Sequence, residues 1–422
     1  QSEDIPPIPS ENFNTVLYTG NGSTQSITGV GFKPDVVWIK DRTRSREHIL
    51  CDTSRGSEKE LTPNTDDAEE NRGVYSFDTD GFTFNDGNTN YNDNGESYVA
   101  WCFKANGGTT SSNTDGSATS TVQVNTKAGF SIAQMTFAGT GSIGHGLGKT
   151  PNVVILKGVD AVESWQIYSS ALGTGKYLSF SKSGGNSAVT TRADSFSTVN
   201  STIVTNEWTG GTVTWIMYSF VNTAGYSSSG TYTGNGSTTG PIVNTGFEPA
   251  FLMVKRTDSS DNWIILDNKR STSNPRINAL FPNLNSAELT SGFSTDFLTN
   301  GFQIKTTDNS MNNNGGTYFY WAFASDPSAA PTLSDSFGIL SYTGNSSGSY
   351  PTTSSQNITG LGFQPQHAVV KRLDNTSSWP VYDVMRGDFE YYYWNSNSAT
   401  GNTANTTYPG GIGASSDGIQ VW

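Results

Sequence analysis

Four short, mainly apolar runs each follow a proline and end in a lysine. The proline and the lysine are six residues apart in every run, at Pro34/Lys40, Pro151/Lys157, Pro249/Lys255 and Pro365/Lys371. The third and fifth residues after each proline are aliphatic, while the even positions vary. A period of two with one core face predicts a β-strand, and its recurrence predicts internal repeats.

Other motifs recur around these strands and define a repeat unit. A Y-T-G-N-G-S turn begins at Tyr18 and again at Tyr232, and a G-F-x-P step precedes the strand. A D-x-x-R element follows the strand, and an aromatic strand such as 98–103 closes the unit. Eight residues after each lysine stands His48, Trp165, Trp263 or Trp379. The polar stretch between them suits a long hairpin loop.

Two copies depart from this pattern. In the second copy, Ser169 and Leu172 replace the Asp and Arg of the D-x-x-R element. The fourth copy keeps Asp383 and Arg386, but the sequence stops at Trp422 before a closing aromatic strand. We therefore expect the fourth unit to expose an unpaired edge, which a neighbouring chain's arm or a C-terminal continuation would cover.

No segment has the pattern of a long amphipathic helix. The chain has 46 Gly, is 12% aromatic and only 14% charged, which is typical of short strands joined by many turns. We predict an all-β protein, a tandem array of four related β-sandwich (jelly-roll-like) domains with the last incomplete. The predicted boundaries are an extended arm at 1–13, repeat 1 at 14–107, a flexible linker at 108–126, the degenerate repeat 2 at 127–224, repeat 3 at 225–328 and repeat 4 at 329–422.

Bulk properties exclude several classes of function. The formal net charge of −13 and the lack of a basic cluster argue against nucleic-acid binding. No run approaches eighteen apolar residues, so no membrane insertion is expected. The sequence begins at Gln1 without a start Met or an apolar signal core, so we expect an upstream piece to precede it. We interpret Cys51 and Cys102 as two unpaired buried thiols.

We interpret the recurring charged and aromatic residues as architecture. A hairpin would place each lysine opposite the aromatic residue eight positions on, with its stem and ammonium on the ring face. The Asp and Arg of the D-x-x-R element would form a local ion pair, or the Asp would cap the following turn. This structural signature comprises Lys40, Asp52, Arg55, Lys157, Trp165, Lys255, Trp263, Asp267, Arg270, Lys371, Trp379, Asp383 and Arg386.

No catalytic residue and no metal site is predicted. Glycoside hydrolysis would need a second carboxylate, and no second acidic residue recurs with the D-x-x-R aspartate. None of the three histidines lies in a Ser or Cys nucleophile motif. The stretches 78–81 and 85–94 offer Asp and Asn oxygens that could hold calcium, but ordinary turns are the interpretation we favour, so no cofactor is expected.

The densest aromatic patch is the candidate binding site. Tyr391, Tyr392, Tyr393 and Trp394 stand among Asn and Ser residues, which suits stacking on sugar rings or contact with a partner. The competing interpretation is a strand in the core or at a subunit interface.

The repeat resembles the domains of uncharacterised virion proteins, labelled tail-fibre or structural proteins, of tailed phages of marine and other aquatic bacteria. Gly31–Asp35, Asp52–Gly56 and Tyr98–Phe103 carry the resemblance, which covers nearly the whole chain. It implies an extracellular virion protein with other virion proteins as partners.

We accordingly expect a non-enzymatic phage appendage protein, a tail fibre or surface adhesin that presents its modules for host-surface or glycan attachment. The alternatives are a purely structural decoration or filament subunit joined by strand or arm exchange, and a polysaccharide depolymerase. A homo-oligomer, by default a trimer or larger, is expected.

Overall fold

The structure is a computed structural model that describes residues 6–181, 185, 187–207, 211–326, 338–344, 356–361, 363–374, 376–383, 390–393, 401–402, 412–415 and 417–421. The chain divides into two compact units, residues 1–327 and 328–422, which we call the N-terminal and C-terminal units. Both are built from antiparallel strands, so the predicted all-β class is confirmed. Among the described residues, no helix has the length and apolar character needed to cross a bilayer.

The first repeat follows a short 3-10 turn at Pro9–Glu11. One sheet has the order β1-β8-β3-β4-β5, and a second has the order β2-β7-β6. The strands are β1 (Phe13–Thr19), β2 (Gln25–Thr28), β3 (Val36–Asp41), β4 (Ile49–Asp52), β5 (Glu60–Leu61), β6 (Ser76–Asp78), β7 (Gly81–Phe84) and β8 (Ser97–Phe103).

The second repeat has the same core order with two added strands at one edge. Its larger sheet runs β14-β13-β19-β11-β10-β9, and its smaller sheets are β12-β18-β17 and β15-β16. The strands are β9 (Ser111–Asn113), β10 (Ser120–Asn125), β11 (Phe130–Phe137), β12 (Thr140–Gly144), β13 (Val153–Gly158), β14 (Gln166–Ser169), β15 (Lys176–Tyr177), β16 (Thr190–Thr191), β17 (Thr198–Val199), β18 (Ile203–Glu207) and β19 (Val213–Phe220).

The third repeat again pairs a larger and a smaller sheet, β20-β26-β22-β23 and β21-β25-β24. The elements are β20 (Ser227–Thr233), β21 (Ile242–Asn244), β22 (Pro249–Arg256), β23 (Ile264–Asp267), β24 (Thr295–Leu298), β25 (Gly301–Ile304), the single-turn helix α1 (Asn309–Asn312) and β26 (Thr317–Ala324). In all three repeats the closing strand lies between the first strand and the strand that follows the proline. The hairpin predicted after each lysine is therefore confirmed as β3–β4, β13–β14 and β22–β23.

The strand after the proline is buried on both faces, so the prediction of one core face was wrong. In β3 the odd-position side chains Val37 and Ile39 lie in a core that belongs to the first repeat. The even-position side chains Val36 and Trp38 lie in a second core, shared by all three repeats. In the three repeats of the N-terminal unit, the second and fourth residues after the proline vary in type but stay apolar, which is typical of strands buried on both faces.

The segments predicted to be an extended arm and a flexible linker both lie against the rest of the N-terminal unit. Residues 108–126, predicted to be a flexible linker, contain β9 and β10, which extend the sheet of the second repeat. The alternation of Val122 and Val124 with polar residues explains the strand, and the buried Gln123 amide donates to Thr53 Oγ1 and Ser54 Oγ at 2.9 and 2.7 Å. In the arm, Pro9 is buried and the Ser10 amide donates to Asp326 Oδ1 at 2.9 Å.

The C-terminal unit contains the corresponding strands except for a first and a closing strand in its described residues. Its sheets run β27-β33-β32 and β28-β29-β30-β31. The strands are β27 (Gln356–Thr359), β28 (His367–Val369), β29 (Pro380–Asp383), β30 (Glu390–Tyr393), β31 (Gly401–Asn402), β32 (Ile412–Ser415) and β33 (Gly418–Val421). Residues 338–344, which correspond in sequence to β1, form no strand, and Ile339 is exposed.

Candidate functional site

The three repeats of the N-terminal unit contact one another in a closed cycle. The first repeat contacts the third, the second contacts the first, and the third contacts the second. At each junction, the carbonyl two residues after the recurring lysine accepts a hydrogen bond from a backbone amide of the next repeat. These bonds are Glu288 N to Arg42 O at 2.9 Å, Glu69 N to Val159 O at 2.8 Å and Val189 N to Thr257 O at 2.9 Å.

The aromatic residue eight positions after each lysine makes a second junction contact. Its ring N–H donates to a backbone carbonyl of the same neighbouring repeat. The bonds are His48 Nε2 to Phe281 O at 2.9 Å, Trp165 Nε1 to Thr62 O at 3.0 Å and Trp263 Nε1 to Ser179 O at 2.7 Å. His48 Nδ1 accepts from Trp38 Nε1 at 3.0 Å, so the neutral ring keeps its donor on Nε2. Burial lowers the pKa of His48 well below its usual value, which favours this neutral form.

The closing strand supplies a third junction contact, which ends on the D-x-x-R aspartate of the next repeat. Trp101 Nε1 donates to Asp267 Oδ2 at 3.1 Å, and Tyr218 OH donates to Asp52 Oδ2 at 2.6 Å. The corresponding pair in the cycle is Trp321 and Ser169, where the carboxylate is missing. The degenerate second repeat therefore lacks one ionic element at its junction with the third.

The two D-x-x-R elements of the N-terminal unit are buried ion pairs, and each arginine also contacts a second acid. Arg55 Nε donates to Asp52 Oδ2 at 2.6 Å and Arg55 Nη1 donates to Glu69 Oε2 at 2.9 Å. Arg270 repeats this geometry with Asp267 and Glu288 at 2.6 and 2.9 Å. Asp52 makes both of the predicted contacts, the ion pair with Arg55 and the cap of the following turn. Its Oδ1 accepts hydrogen bonds from the Ser54 and Arg55 backbone amides.

The second acid of each ion-pair cluster was not predicted from the sequence. Glu69 and Glu288 follow the aspartates Asp52 and Asp267 at unequal distances, 17 and 21 residues, so no fixed spacing reveals them. Glu288 also pairs with Arg42 of the first repeat at 2.9 Å, which joins the ion pair to the junction. The remaining donors to this cluster include the Tyr218 hydroxyl, which crosses from the second repeat, and the Lys59 ammonium, which lies 3.2 Å from Glu69 Oε1. The carboxylates therefore make contacts both within a repeat and between repeats.

Aromatic side chains from all three repeats meet in the shared core. Phe220 of the second repeat lies 4.6 Å from Trp321 and 6.1 Å from Phe323 of the third, between ring centroids. Its ring is 5.8 Å from Phe103 of the first repeat. Such ring pairs add to the apolar area they bury, so the junctions are apolar at the centre and hydrogen-bonded around it.

The three recurring lysines of the N-terminal unit are buried at the root of their hairpin loops. Each ammonium donates to the carbonyl of the next residue at 2.6 Å, in Lys40, Lys157 and Lys255. Lys157 also reaches Asp66 O of the first repeat at 3.4 Å. Desolvation lowers the pKa of each of the three lysines to about 8. At these three sites the lysine ammonium lies against carbonyl oxygens. The predicted ring contact occurs at Lys371 of the C-terminal unit, whose Nζ lies 5.8 Å from the Trp379 ring centroid.

We expect the Lys255→Met variant to lose stability relative to the wild type as the pH rises from about 7 to about 10. Below about pH 8 the native and unfolded states both hold the lysine proton. Above it the native state releases the proton while the unfolded state keeps it, so the wild type gains unfolding free energy that the variant cannot gain. Urea unfolding of both proteins across this range measures the difference, in which the shared cysteines and other lysines cancel. A difference that stays constant with pH contradicts the assignment.

The acid- and amide-rich stretches considered for calcium form internal hydrogen bonds. Asn92 Nδ2 donates to Ser23 O and Asp86 O, at 2.5 and 2.7 Å, and Asn92 Oδ1 accepts from the Asn21 amide. Asn312 holds the equivalent turn of the third repeat, where the Asn235 amide donates to its Oδ1 at 2.8 Å. Within the described part of the chain, no group of three or more His, Cys, Asp or Glu side chains could hold a metal ion. These asparagines fix the Y-T-G-N-G-S turns.

The two cysteines are free and buried. Cys51 and Cys102 both pair with Val37, from the strands on either side of it. Two strand spacings of about 4.8 Å place their Cα atoms beyond the reach of a disulfide. Burial raises the pKa of Cys51 to about 12 and raises the pKa of Cys102 further, so neither thiol is reactive.

The N-terminal unit contains two cavities of different character. The first, about 20 Å³, lies in the shared aromatic core and is lined by apolar residues and Tyr218, so it holds no more than one water-sized group. The second is a polar groove of about 240 Å³ where β1 meets the third repeat. Thr15 and Asn268 line this groove, and their side-chain oxygens Oγ1 and Oδ1 are buried without a hydrogen-bond partner.

In the C-terminal unit, the structure describes only part of the predicted site. Lys371 Nζ donates to Ser377 O at 2.7 Å, and Asp383 ends β29. The backbone of Tyr391–Tyr393 belongs to β30, with Tyr392 opposite Val381 and Tyr393 opposite Pro380. Arg386 and Trp394 lie outside the described residues, as do the side chains of the predicted aromatic patch.

A known family matches most of this chain. The family described as a domain of unknown function (DUF7483) matches residues 8–327, and the chain belongs to it. The match ends at the residue where the N-terminal unit ends, so the family domain is the set of three repeats that closes the cycle. Comparison with curated proteins found no match, and comparison with solved structures found none.

Proposed function

We propose that this DUF7483 chain is a non-enzymatic appendage protein of a phage particle, with the N-terminal unit as a rigid scaffold. The observation that carries the proposal is the use of the recurring residues. Within the described N-terminal unit, each signature lysine, aspartate, arginine and tryptophan is buried in a contact inside a repeat or between repeats. Recurring residues that hold the repeats together support a mechanical role for the N-terminal unit.

The junctions support rigidity because their contacts are of different kinds. Backbone bonds, ring N–H donors and the Glu288–Arg42 pair all cross between repeats, around one aromatic core. The described residues of the three repeats also share one hydrophobic core, which is the packing expected of a rigid body. The assignment to a phage particle rests on the resemblance of Gly31–Asp35, Asp52–Gly56 and Tyr98–Phe103 to virion repeats.

Immunogold electron microscopy of purified particles tests this role. Antibodies raised against residues 8–327 are expected to label the outside of intact particles, and mass spectrometry should find the chain in the same fraction. A particle fraction without the chain, with the protein found only in the lysate of the infected host, would refute the proposal.

A further inference from the structure

We infer that His48 is an acid sensor, which opens the contact between the first and third repeats as the pH falls below about 6.5. The inference goes beyond the proposed function, because it concerns how the scaffold responds to its surroundings. It rests on the place of His48 in the cycle, on the two hydrogen bonds of its ring and on the charges around that ring.

The contact between the first and third repeats is the one that closes the cycle. The first repeat leads directly into the second and the second into the third, whereas the first and third are joined only through the second. This junction can therefore open while both connections of the chain stay in place. Protein atoms leave part of it unfilled, since the polar groove of about 240 Å³ lies where β1 meets the third repeat.

His48 lies in this junction at the position that tryptophan fills in the second and third repeats. Trp165 and Trp263 each donate an indole N–H to the neighbouring repeat, and an indole is a donor at any pH. The His48 ring is 0% exposed and makes its junction contact to Phe281 O as a donor on Nε2. The ring contact that closes the cycle is thus made by a group that titrates.

The other ring nitrogen has no place for a proton. Trp38 Nε1 donates to His48 Nδ1 at 3.0 Å inside the buried junction. A proton on Nδ1 would turn this acceptor into a donor, so two N–H groups would face each other. The buried Trp38 N–H would then lack an acceptor, which costs free energy. The closed junction therefore admits the neutral ring, whereas an open junction exposes the ring to water, where it takes up a proton.

Two cations also disfavour a charged ring. Lys40 of the same hairpin and Arg270 of the third repeat both act against protonation of His48. The carboxylates of this junction have other partners, since Glu288 pairs with two arginines and Glu47 accepts hydrogen bonds from two asparagines. A proton on Glu288 would weaken the same junction, so the experiment has to separate it from a proton on His48.

The direction of the effect follows from proton linkage. Burial, together with Lys40 and Arg270, lowers the pKa of His48 well below its usual value in the closed state. Below about pH 6.5 the open state therefore binds a proton that the closed state does not. The ratio of closed to open molecules is expected to fall by up to about tenfold per pH unit, and by about 30-fold between about pH 7.5 and about pH 5.

Hydrogen exchange of the full chain tests the inference at two equivalent amides. The Glu288 amide donates to Arg42 O across the junction between the first and third repeats. The Val189 amide donates to Thr257 O across the junction between the second and third repeats, where a tryptophan makes the ring contact, so it is the matched control. Between about pH 7.5 and about pH 5, the protection of the Glu288 amide, corrected for intrinsic exchange, should fall about 30-fold more than that of the Val189 amide.

Two variants show whether His48 is the group that titrates. His48→Gln keeps one donor and one acceptor but has no ring to protonate, and His48→Trp installs the residue of the other two repeats. In either variant we expect the Glu288 and Val189 amides to respond to acid alike.

Equal loss of protection at the Glu288 and Val189 amides of the wild type would refute the inference. A difference that begins only below about pH 5 would refute it too, because carboxylates and not histidines take up protons there. These two readings use the wild type alone, so they do not depend on whether a variant folds. A difference that persists in a folded variant would assign the acid response to another group. None of these outcomes alters the immunogold result, so failure here is distinct from failure of the proposed function.

Discussion

Replacing Asp52 with alanine is expected to destabilise the N-terminal unit by about 3–5 kcal/mol, the cost of breaking a buried ion pair by removing one partner. The Asp52 carboxylate and the Arg55 guanidinium are 0% and 1% exposed, so water cannot replace the lost contact. The variant also removes the acceptor of Tyr218 OH, which crosses from the second repeat. Urea unfolding, read by hydrogen exchange in peptides from residues 6–326, measures the loss.

Two further variants separate the contributions to this effect. Tyr218→Phe removes only the inter-repeat bond, and we expect a loss of about 1.5–3 kcal/mol, typical of a hydrogen bond to a charged group. Asp258→Ala removes a carboxylate that is 37% exposed and pairs with Arg256, so its expected loss is below about 1 kcal/mol. If Asp52→Ala cost no more than Asp258→Ala, the buried cluster would not stabilise the junction.

The second large effect is expected at the shared core. Phe220→Ala should cost about 3–5 kcal/mol, because it leaves a cavity where three repeats meet. The loss should appear in all three repeats, since the Phe220 ring contacts Phe103, Phe130 and Trp321. Hydrogen exchange of β3, β19 and β22 is the measurement, and the three strands should lose protection together.

Phe220→Leu is the control for this variant. It keeps most of the apolar volume and should cost less than about 1.5 kcal/mol. Faster exchange confined to β19 in Phe220→Ala would show that the repeats unfold independently. That result would argue against one cooperative scaffold.

The fold class and the hairpins could be predicted from the sequence because they depend on local pattern. The proline-to-lysine runs, the turn residues between them and the low helical content each act within one repeat. Packing between repeats depends on positions that no sequence pattern distinguishes from ordinary core positions. Val36 and Trp38 are apolar in β3, but nothing in their spacing says which repeat will cover them.

The junction contacts could not be predicted from the sequence either, because the residue types that make them differ between repeats. His48 replaces tryptophan, and Tyr218 replaces Trp101, yet each keeps one polar hydrogen aimed at the next repeat. The property conserved among the repeats is a donor at a fixed place on the strand, and residue identity varies around it. Glu69 and Glu288 differ in the opposite way. The residue type is the same in both repeats, but the segments that connect it to the D-x-x-R element differ in length.

The three repeats of the cycle are connected covalently in one chain, so the cycle closes within a single molecule. Partners joined on one chain meet at effective concentrations in the millimolar range, so their association does not weaken on dilution of the protein. A repeat in such a chain can also change without altering its neighbours in the same way, as Ser169 shows where the other repeats carry Asp52 and Asp267. A cycle whose three repeats are encoded in one gene can therefore hold a different residue at each of its three equivalent positions. An assembly of identical subunits cannot do this.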